Sequence, residues 1–552
     1  MTNPNPACRI RFEPSGLRTE VPPGATLLEA ARLAGVYVSA ICGGDGTCGK
    51  CKVVVTEGRV DAPPTPLLTA EELRAGTVLA CQAALLSDAT VAVPVEHRLD
   101  TGHILTGHDS SRAPAARPDA ATAEYVVAVD VGTTTVVAHL LDAASETTLD
   151  AEACYNSQMH FGDDYIRRIM YAEEHGAFDE MQRRIAGDIN GLVRALVARH
   201  GIPPERLGAI YAAGNTAMIY FLLGRADLLP EIRRGRPMPE VVHTVEARAA
   251  DLGIGIAPEG RLVALPSVGA YVGADIVAGV LETRLHEAEA PALLIDIGTN
   301  GEIVLGSREW MVSASSSAGP AFEGSGIRCG MRAAAGAIER FHVGPDGTFH
   351  WHAAGGQLPR GLCGSGLLDL LASFFEAGII DRTGRFAHPD DPRFGDGPDG
   401  PEFTIVPPAG ARPAIVITQA DIANLIRSKA GVYAAISTLM ESTGARLQDI
   451  ETVYVAGGFG DHLDPEKAIL IGLLPDVPVD KVLFVGNTSI AGAKRAAMSR
   501  AALAEAEAIA SRMTYFDLMN HPGYMEAFIQ ANFLPHTDLE RFPTVRERLM
   551  GR

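Results

Sequence analysis

At 552 residues the chain is too long for a single hydrophobic core and implies three or four domains, and its 47% hydrophobic content is ample to bury them. A formal net charge of −20 argues against a nucleic-acid partner, which would need Lys and Arg gathered against phosphates. The opening Met-Thr-Asn-Pro-Asn-Pro has no basic and apolar signal pattern, and no apolar run approaches the roughly 20 residues that span a bilayer. No membrane association and a cytoplasmic location are therefore expected.

In chain order, residues 1–95 read as a first domain. A strand over 8–12 is followed by a Pro-Pro-Gly turn and a short helix with apolar spacing at Leu27, Leu28, Ala31 and Leu33. Strands are expected over 53–56, 77–83 and 90–95, with a helix through Leu73 capped by Thr69 and Glu72 placed for a capping box. Between these elements lies Cys42-Gly-Gly-Asp-Gly-Thr-Cys-Gly-Lys-Cys, and Cys81 follows Cys51 after 29 intervening residues. The resulting C-x5-C-x2-C-x29-C set is close to the plant-type ferredoxin spacing, and four thiolates suit one [2Fe-2S] cluster. The loop glycines permit tight bends that turn N–H groups toward bridging sulfides. Zinc sites more often use two separate C-x2-4-C knuckles; zinc or unliganded thiols are the alternatives. The element order resembles the β-grasp fold of [2Fe-2S] ferredoxins, and the longer first spacing resembles their adrenodoxin-like branch. Cys8, Cys154, Cys329 and Cys363 are scattered without ligand spacing, as in a reducing compartment.

Residues 96–123 are rich in Pro, Ala and polar residues with no periodic core face, which reads as a linker to a mobile ferredoxin module. At Tyr125 the pattern changes. An apolar strand, Tyr125-Val-Val-Ala-Val-Asp130-Val, runs through Gly132-Thr133-Thr134-Thr135 into a second strand, and Asp-x-Gly-Thr recurs 166 positions later as Asp296-Ile-Gly298-Thr299-Asn300-Gly, again between two apolar strands. The repeat suggests two related halves, 124–288 and 289–552. A hairpin tipped with Gly and Thr offers N–H and hydroxyl donors to phosphate oxygens, while its Asp can hold Mg²⁺ through water. A third element, Thr452-Val-Tyr-Val-Ala-Gly457-Gly458-Phe459-Gly-Asp, runs an apolar strand into glycines that let backbone approach a flat ligand. No G-x-x-x-x-G-K-[ST] P-loop occurs.

These three stretches resemble the phosphate-1, phosphate-2 and adenosine motifs of the acetate kinase, sugar kinase, Hsp70 and actin (ASKHA) superfamily. The implied fold is an α/β ATPase core of two RNase H-like halves around a nucleotide cleft, making the whole chain multidomain. Joined to a ferredoxin module, the core resembles the reductive activators of corrinoid-dependent methyltransferase systems. Further matching stretches are Ala213-Gly-Asn-Thr-Ala-Met, Ser317-Ala-Gly-Pro-Ala-Phe-Glu-Gly, Cys363-Gly-Ser-Gly-Leu-Leu-Asp and Asn532-Phe-Leu-Pro-His-Thr-Asp-Leu.

The resemblance implies ATP-dependent one-electron reduction of a Co(II) corrinoid protein to Co(I). It implies Cys42, Cys48, Cys51 and Cys81 as iron ligands, with Asp130, Gly132, Thr133, Thr134, Asp296, Gly298, Thr299 and Asn300 around Mg²⁺ and the ATP phosphates. Gly457, Gly458 and Phe459 would border the adenosine. Asp130 and Asp296 are the motivated catalytic candidates, as metal-positioning groups. Asn215 and Glu323 stand equally as cleft residues or loop caps. An upstream electron donor is required, and homodimer formation is left open. The alternatives are a radical-dehydratase activator, a small-molecule kinase with an appended redox module, and an ATP-gated binding module with a structural cluster. A branch with C-terminal [4Fe-4S] motifs is excluded, because no cysteine follows Cys363.

Overall fold

The computed structural model describes residues 7–40, 44–94, 124–236, 238–410, 412–458 and 463–550. The chain divides into two compact units, Met1–Thr101 with Tyr155–Ile185, and Gly102–Cys154 with Ala186–Arg552.

In the first unit a five-stranded sheet runs in the order Arg18–Val21, Cys8–Glu13, Ala89–Ala92, Lys52–Glu57, Thr77–Leu79. The pair Cys8–Glu13 and Ala89–Ala92 is parallel and the others are antiparallel, the mixed arrangement of a β-grasp. The helix Leu27–Ala34 covers one face. Its Thr26–Glu29 capping box and the left-handed C-cap Gly35 set both ends. Ile10, Phe12, Leu27, Val53 and Val91 meet in the core.

Three expectations need correction in this module. The apolar run over 77–83 is a strand only to Leu79; residues 80–82 turn, which releases Cys81 from the sheet. The last strand is Ala89–Ala92, ending before residues 93 and 94; residue 95 of the expected strand and the expected linker over 96–123 lie outside the described residues. Leu33 is 66% exposed, and Ala30 takes the core position expected of it. The expected Thr69–Glu72 capping box is present on Ala70–Arg74. Within the same unit, the 3₁₀ turn Ser157–Phe161 and the helix Tyr165–His175 pack beside the ferredoxin module.

The second unit contains two similar six-stranded sheets. The first runs Thr147–Tyr155, Thr135–Asp142, Tyr125–Val131, Leu207–Gly214, Arg261–Ala264, Val245–Arg248; the second runs Val482–Gly486, Thr452–Ala456, Ala292–Ile297, Gly301–Gly306, Met311–Ser316, Met513–Tyr515. In each, an antiparallel hairpin leads into two parallel strands, with one added edge strand. Five strands in this order are the RNase H-like pattern, present twice. The near-continuous burial of Tyr125–Val131 and Ala292–Ile297 explains why both read as apolar runs rather than alternations. The long helix Gln419–Thr443 begins at Thr418, whose hydroxyl and the Asp421 carboxylate form a reciprocal capping box. Leu293, Ile295, Phe341, Phe374 and Phe403 anchor the core of the second half. Among the described residues no helix is long and apolar enough to cross a membrane.

Candidate functional site

Two sites emerge, one in each unit. In the first, Cys51 Sγ lies 3.2 Å from Cys81 Sγ, both buried, and neither forms a disulfide. The Lys50 N–H donates to Cys48 Sγ at 3.5 Å. The Gln82 side-chain amide donates to Gly44 O at 3.0 Å and approaches Cys81 Sγ at 3.8 Å, tying the turn at 80–82 to the cysteine loop. The Cys51 thiol is pushed far up, first by its hydrogen bond to Cys81 and then by burial. Two crowded, desolvated thiols do not ionise together unless a cation lies between them. That donor set, with N–H groups turned toward sulfur, fits an iron–sulfur cluster. Cys42 lies outside the described residues.

The second site lies where both Asp-x-Gly-Thr hairpins end. Gly132, Thr133 and Thr134 make the turn after Tyr125–Val131, and Gly298, Thr299 and Asn300 make the turn after Ala292–Ile297, closed by Gly298 N–H donating to Asn300 O at 2.9 Å. Asp130 Oδ2 accepts from Asn487 Nδ2 at 2.8 Å and Oδ1 from Ser489 Oγ at 2.7 Å. These donors belong to the first turn of Thr488–Met498 and its N-cap. That helix crosses Ala274–Thr283 so closely that a Cβ on Gly492 would lie 2.2 Å from Ala278 O. Asp275, in the first turn of Ala274–Thr283, is acted on by the charges of Asp296 and Asp130.

Glu302 faces Asp296 across the second hairpin in direct register, so both side chains share one face. Thr299 Oγ1 donates to both oxygens of Glu323, at 3.2 and 3.3 Å, which places Glu323 against the hairpin tip. Asn215 instead caps Thr216–Leu222, its side chain accepting from Ala217 N–H. The strand Thr452–Ala456 pairs in parallel with Ala292–Ile297, setting Ala456 opposite Asp296. Gly457 follows at φ +107°, where a Cβ would meet Ile297 O at 2.4 Å and Asp296 Oδ1 at 2.9 Å, while Gly458 faces open space. Phe459 lies outside the described residues.

The acidic groups repel one another. Asp275 is pushed up to about 8 by burial and then by Asp296 and Asp130. Asp296 is pushed up to about 7 by burial and then by Asp130, and Glu302 is raised by burial and the charges of Asp275 and Asp296. Burial also raises Asp130, against the hydrogen bonds from Asn487 and Ser489 that lower it. Such a concentration of carboxylates is stabilised by a divalent cation. Asp275, Glu302, Asn487 and Ser489 were not found by motif; only Glu302 carried a signal, two residues past the Asp296 turn on the returning strand.

Models of known families match in three consecutive segments. These are the 2Fe-2S iron-sulfur cluster binding domain over residues 10–86, the RACo middle region over 125–288, and the C-terminal domain of RACo, the ASKHA domain, over 290–546. A corrinoid activation enzyme, RamQ, from Eubacterium limosum is 32% identical over 421 residues, 73% of this chain and 69% of that protein. This chain belongs to the reductive activators of corrinoid proteins. The solved structure of a reductive activator for corrinoid,iron-sulfur protein matches 97% of this chain and 100% of its own, with 34% identity and a TM-score of 0.71. The Co(II) methylated amine-specific corrinoid protein reductase of Methanosarcina barkeri is 28% identical over 47% of this chain and 48% of its own length. In this chain the cluster-binding segment precedes the ASKHA segment.

Proposed function

We propose that this activator returns a Co(II) corrinoid protein to Co(I) by one-electron transfer, driven by ATP bound in the cleft between the two hairpins. The observation that carries this reading is the union, in one chain, of a thiol-lined ferredoxin loop with an acidic ASKHA cleft. The corrinoid substrate is inferred from the relatives' activities.

Cys48, Cys51 and Cys81, with Cys42, would hold the [2Fe-2S] cluster, which when bound supplies one electron at a potential near roughly −400 mV. Asp130 and Asp296 would hold Mg²⁺, Asp130 being oriented by Asn487 and Ser489. Gly132, Thr133, Thr134, Gly298, Thr299 and Asn300 would present backbone N–H groups to the phosphates, with the hydroxyls of Thr133 and Thr134, the Thr299 hydroxyl being given to Glu323. Gly457, Gly458 and Phe459 border the adenosine. Glu323, held through Thr299, fixes the second tip.

A cobalt couple below the cluster makes transfer uphill, each 59 mV costing about tenfold for one electron. ATP therefore acts by differential binding: closure of the two halves favours a corrinoid-protein complex in which altered cobalt ligation raises its potential. An upstream low-potential donor reloads the module, and the reaction takes place in the cytoplasm. The test mixes reduced, iron-loaded activator with a Co(II) corrinoid protein anaerobically. A Co(I) spectrum only with MgATP supports the reading; ATP hydrolysis without Co(I) contradicts it.

A further inference from the structure

Arg32 stands on the ferredoxin helix Leu27–Ala34, one turn beyond Leu28. Leu28 marks the cluster-facing side of that helix: its N–H donates to Ala80 O at 2.9 Å, and its side chain reaches the same space beside Gly44 as Cys81 Cβ. Residues four apart share a helix face, so Arg32 lies on the side that carries Cys81, and the two are in electrostatic contact.

The guanidinium is held from outside the ferredoxin module. Arg32 Nε donates to His160 O at 2.6 Å, and the guanidinium sits 4.9 Å over the Tyr171 ring. Tyr37 OH adds a bond to Asp163 Oδ1 at 3.2 Å, and Arg167 approaches Asp45 of the cysteine loop at 4.0 Å. Arg168 is fully buried nearby, bonded to Gly162 O. Burial first, and then the charges of Arg184, Arg32 and Arg168, push the His160 imidazole down to about 4.

We propose that the Arg32 guanidinium, held by His160 and Tyr171, sets the reduction potential of the adjacent cluster by stabilising its one-electron-reduced form. This rests on reading the module as a [2Fe-2S] carrier. One electron entering the cluster adds one unit of negative charge, and a fixed cation in a desolvated position favours that state more than the oxidised one. Ordering the cation in advance removes the cost of orienting it at reduction. By linkage, reduction in turn tightens the hold on Arg32.

The test is a potentiometric titration of the full iron-loaded chain followed by electron paramagnetic resonance, with Arg32→Gln, Arg32→Lys and Tyr171→Ala. Arg32→Gln is expected to lower the reduction equilibrium constant roughly tenfold, about 59 mV for one electron. Arg32→Lys should restore most of the potential, and Tyr171→Ala should lower it by less than Arg32→Gln. Hydrogen exchange in Tyr165–His175 should be slower in the reduced than in the oxidised protein, a difference lost in Arg32→Gln. An intact iron–sulfur spectrum with an unchanged midpoint in Arg32→Gln overturns this inference alone, as does an equal shift in Arg32→Lys. No iron–sulfur spectrum in the unsubstituted protein overturns the cluster reading as well. If Arg32→Gln fails to load iron, an unchanged midpoint in Tyr171→Ala overturns the inference.

Discussion

Asp130 and Asn487, 357 positions apart in the chain, are joined by a 2.8 Å hydrogen bond from the Asn487 amide to the Asp130 carboxylate, with Ser489 completing the cradle from the same turn. The carboxylate assigned to Mg²⁺ on the first half is thus oriented by a helix of the second. Hydrogen bonds to a charged group contribute about 1.5–3 kcal/mol each. Asn487→Ala and Ser489→Ala are each expected to slow MgATP hydrolysis by roughly ten- to hundredfold, leaving the iron–sulfur spectrum intact. Steady-state phosphate release measures this.

The acidic cleft also sets a pH dependence. Asp296 and Asp275 are raised to about 7 and about 8 in the folded protein, above the ordinary carboxylate range of the unfolded chain. The folded state therefore binds protons more tightly, so their contribution to stability is full below about pH 4 and is lost as pH rises through about 7 to 8. Mg²⁺ replaces those protons and should raise the melting temperature of the nucleotide-free protein more at pH 8.5 than at pH 5.5. Asp275→Asn should raise the melting temperature at high pH without Mg²⁺ and reduce the Mg²⁺ effect. Thermal melts across pH, with and without the ion, check both.

Adjacent glycines at the adenosine motif separate packing from ligand contact. Gly457→Ala forces a side chain onto Ile297 O at positive φ, and is expected to cost more than about 1 kcal/mol of stability. Gly458→Ala meets nothing within 4 Å among the described residues. It should leave the melting temperature of the nucleotide-free protein unchanged while weakening ATP binding at least about tenfold, read by calorimetric titration, because its methyl would occupy the space assigned to adenosine.

The Gln82 amide bridges Gly44 O and the Cys81 turn. Gln82→Leu keeps the volume and removes the donor, so cluster loss under a chelator should accelerate roughly tenfold, followed by visible absorbance, while MgATP hydrolysis is unchanged. An unchanged rate would show that the turn holds Cys81 without that bond.

Both hairpins were legible in the sequence because buried strands on either side of Asp-x-Gly-Thr leave an uninterrupted apolar signature. The Thr69 helix start was legible for a different reason: a capping hydroxyl and an acid three residues later act through local bonds alone. What failed to show was decided at a distance. Asn487 and Ser489 reach Asp130 only through tertiary packing, and Asp275 is the acid in the first turn of a mostly apolar helix, its meaning coming from the charges of Asp130 and Asp296. The turn at Cys81 was hidden inside Val-Leu-Ala-Cys, which reads as strand until the cysteine loop claims its end. Arg18–Val21, short and polar at an edge, gave no apolar pattern to follow.

Whether ATP in the cleft enables electron delivery to cobalt, as proposed, is measured most directly in a single-turnover anaerobic reaction. Reduced activator is mixed with a Co(II) corrinoid protein, and Co(I) absorbance is followed together with phosphate release. Coupling predicts Co(I) from the unsubstituted protein only when MgATP is present, and none from either Cys81→Ala or Asp296→Asn. Co(I) formed at the same rate and yield without ATP, or by Asp296→Asn with no phosphate release, would contradict it.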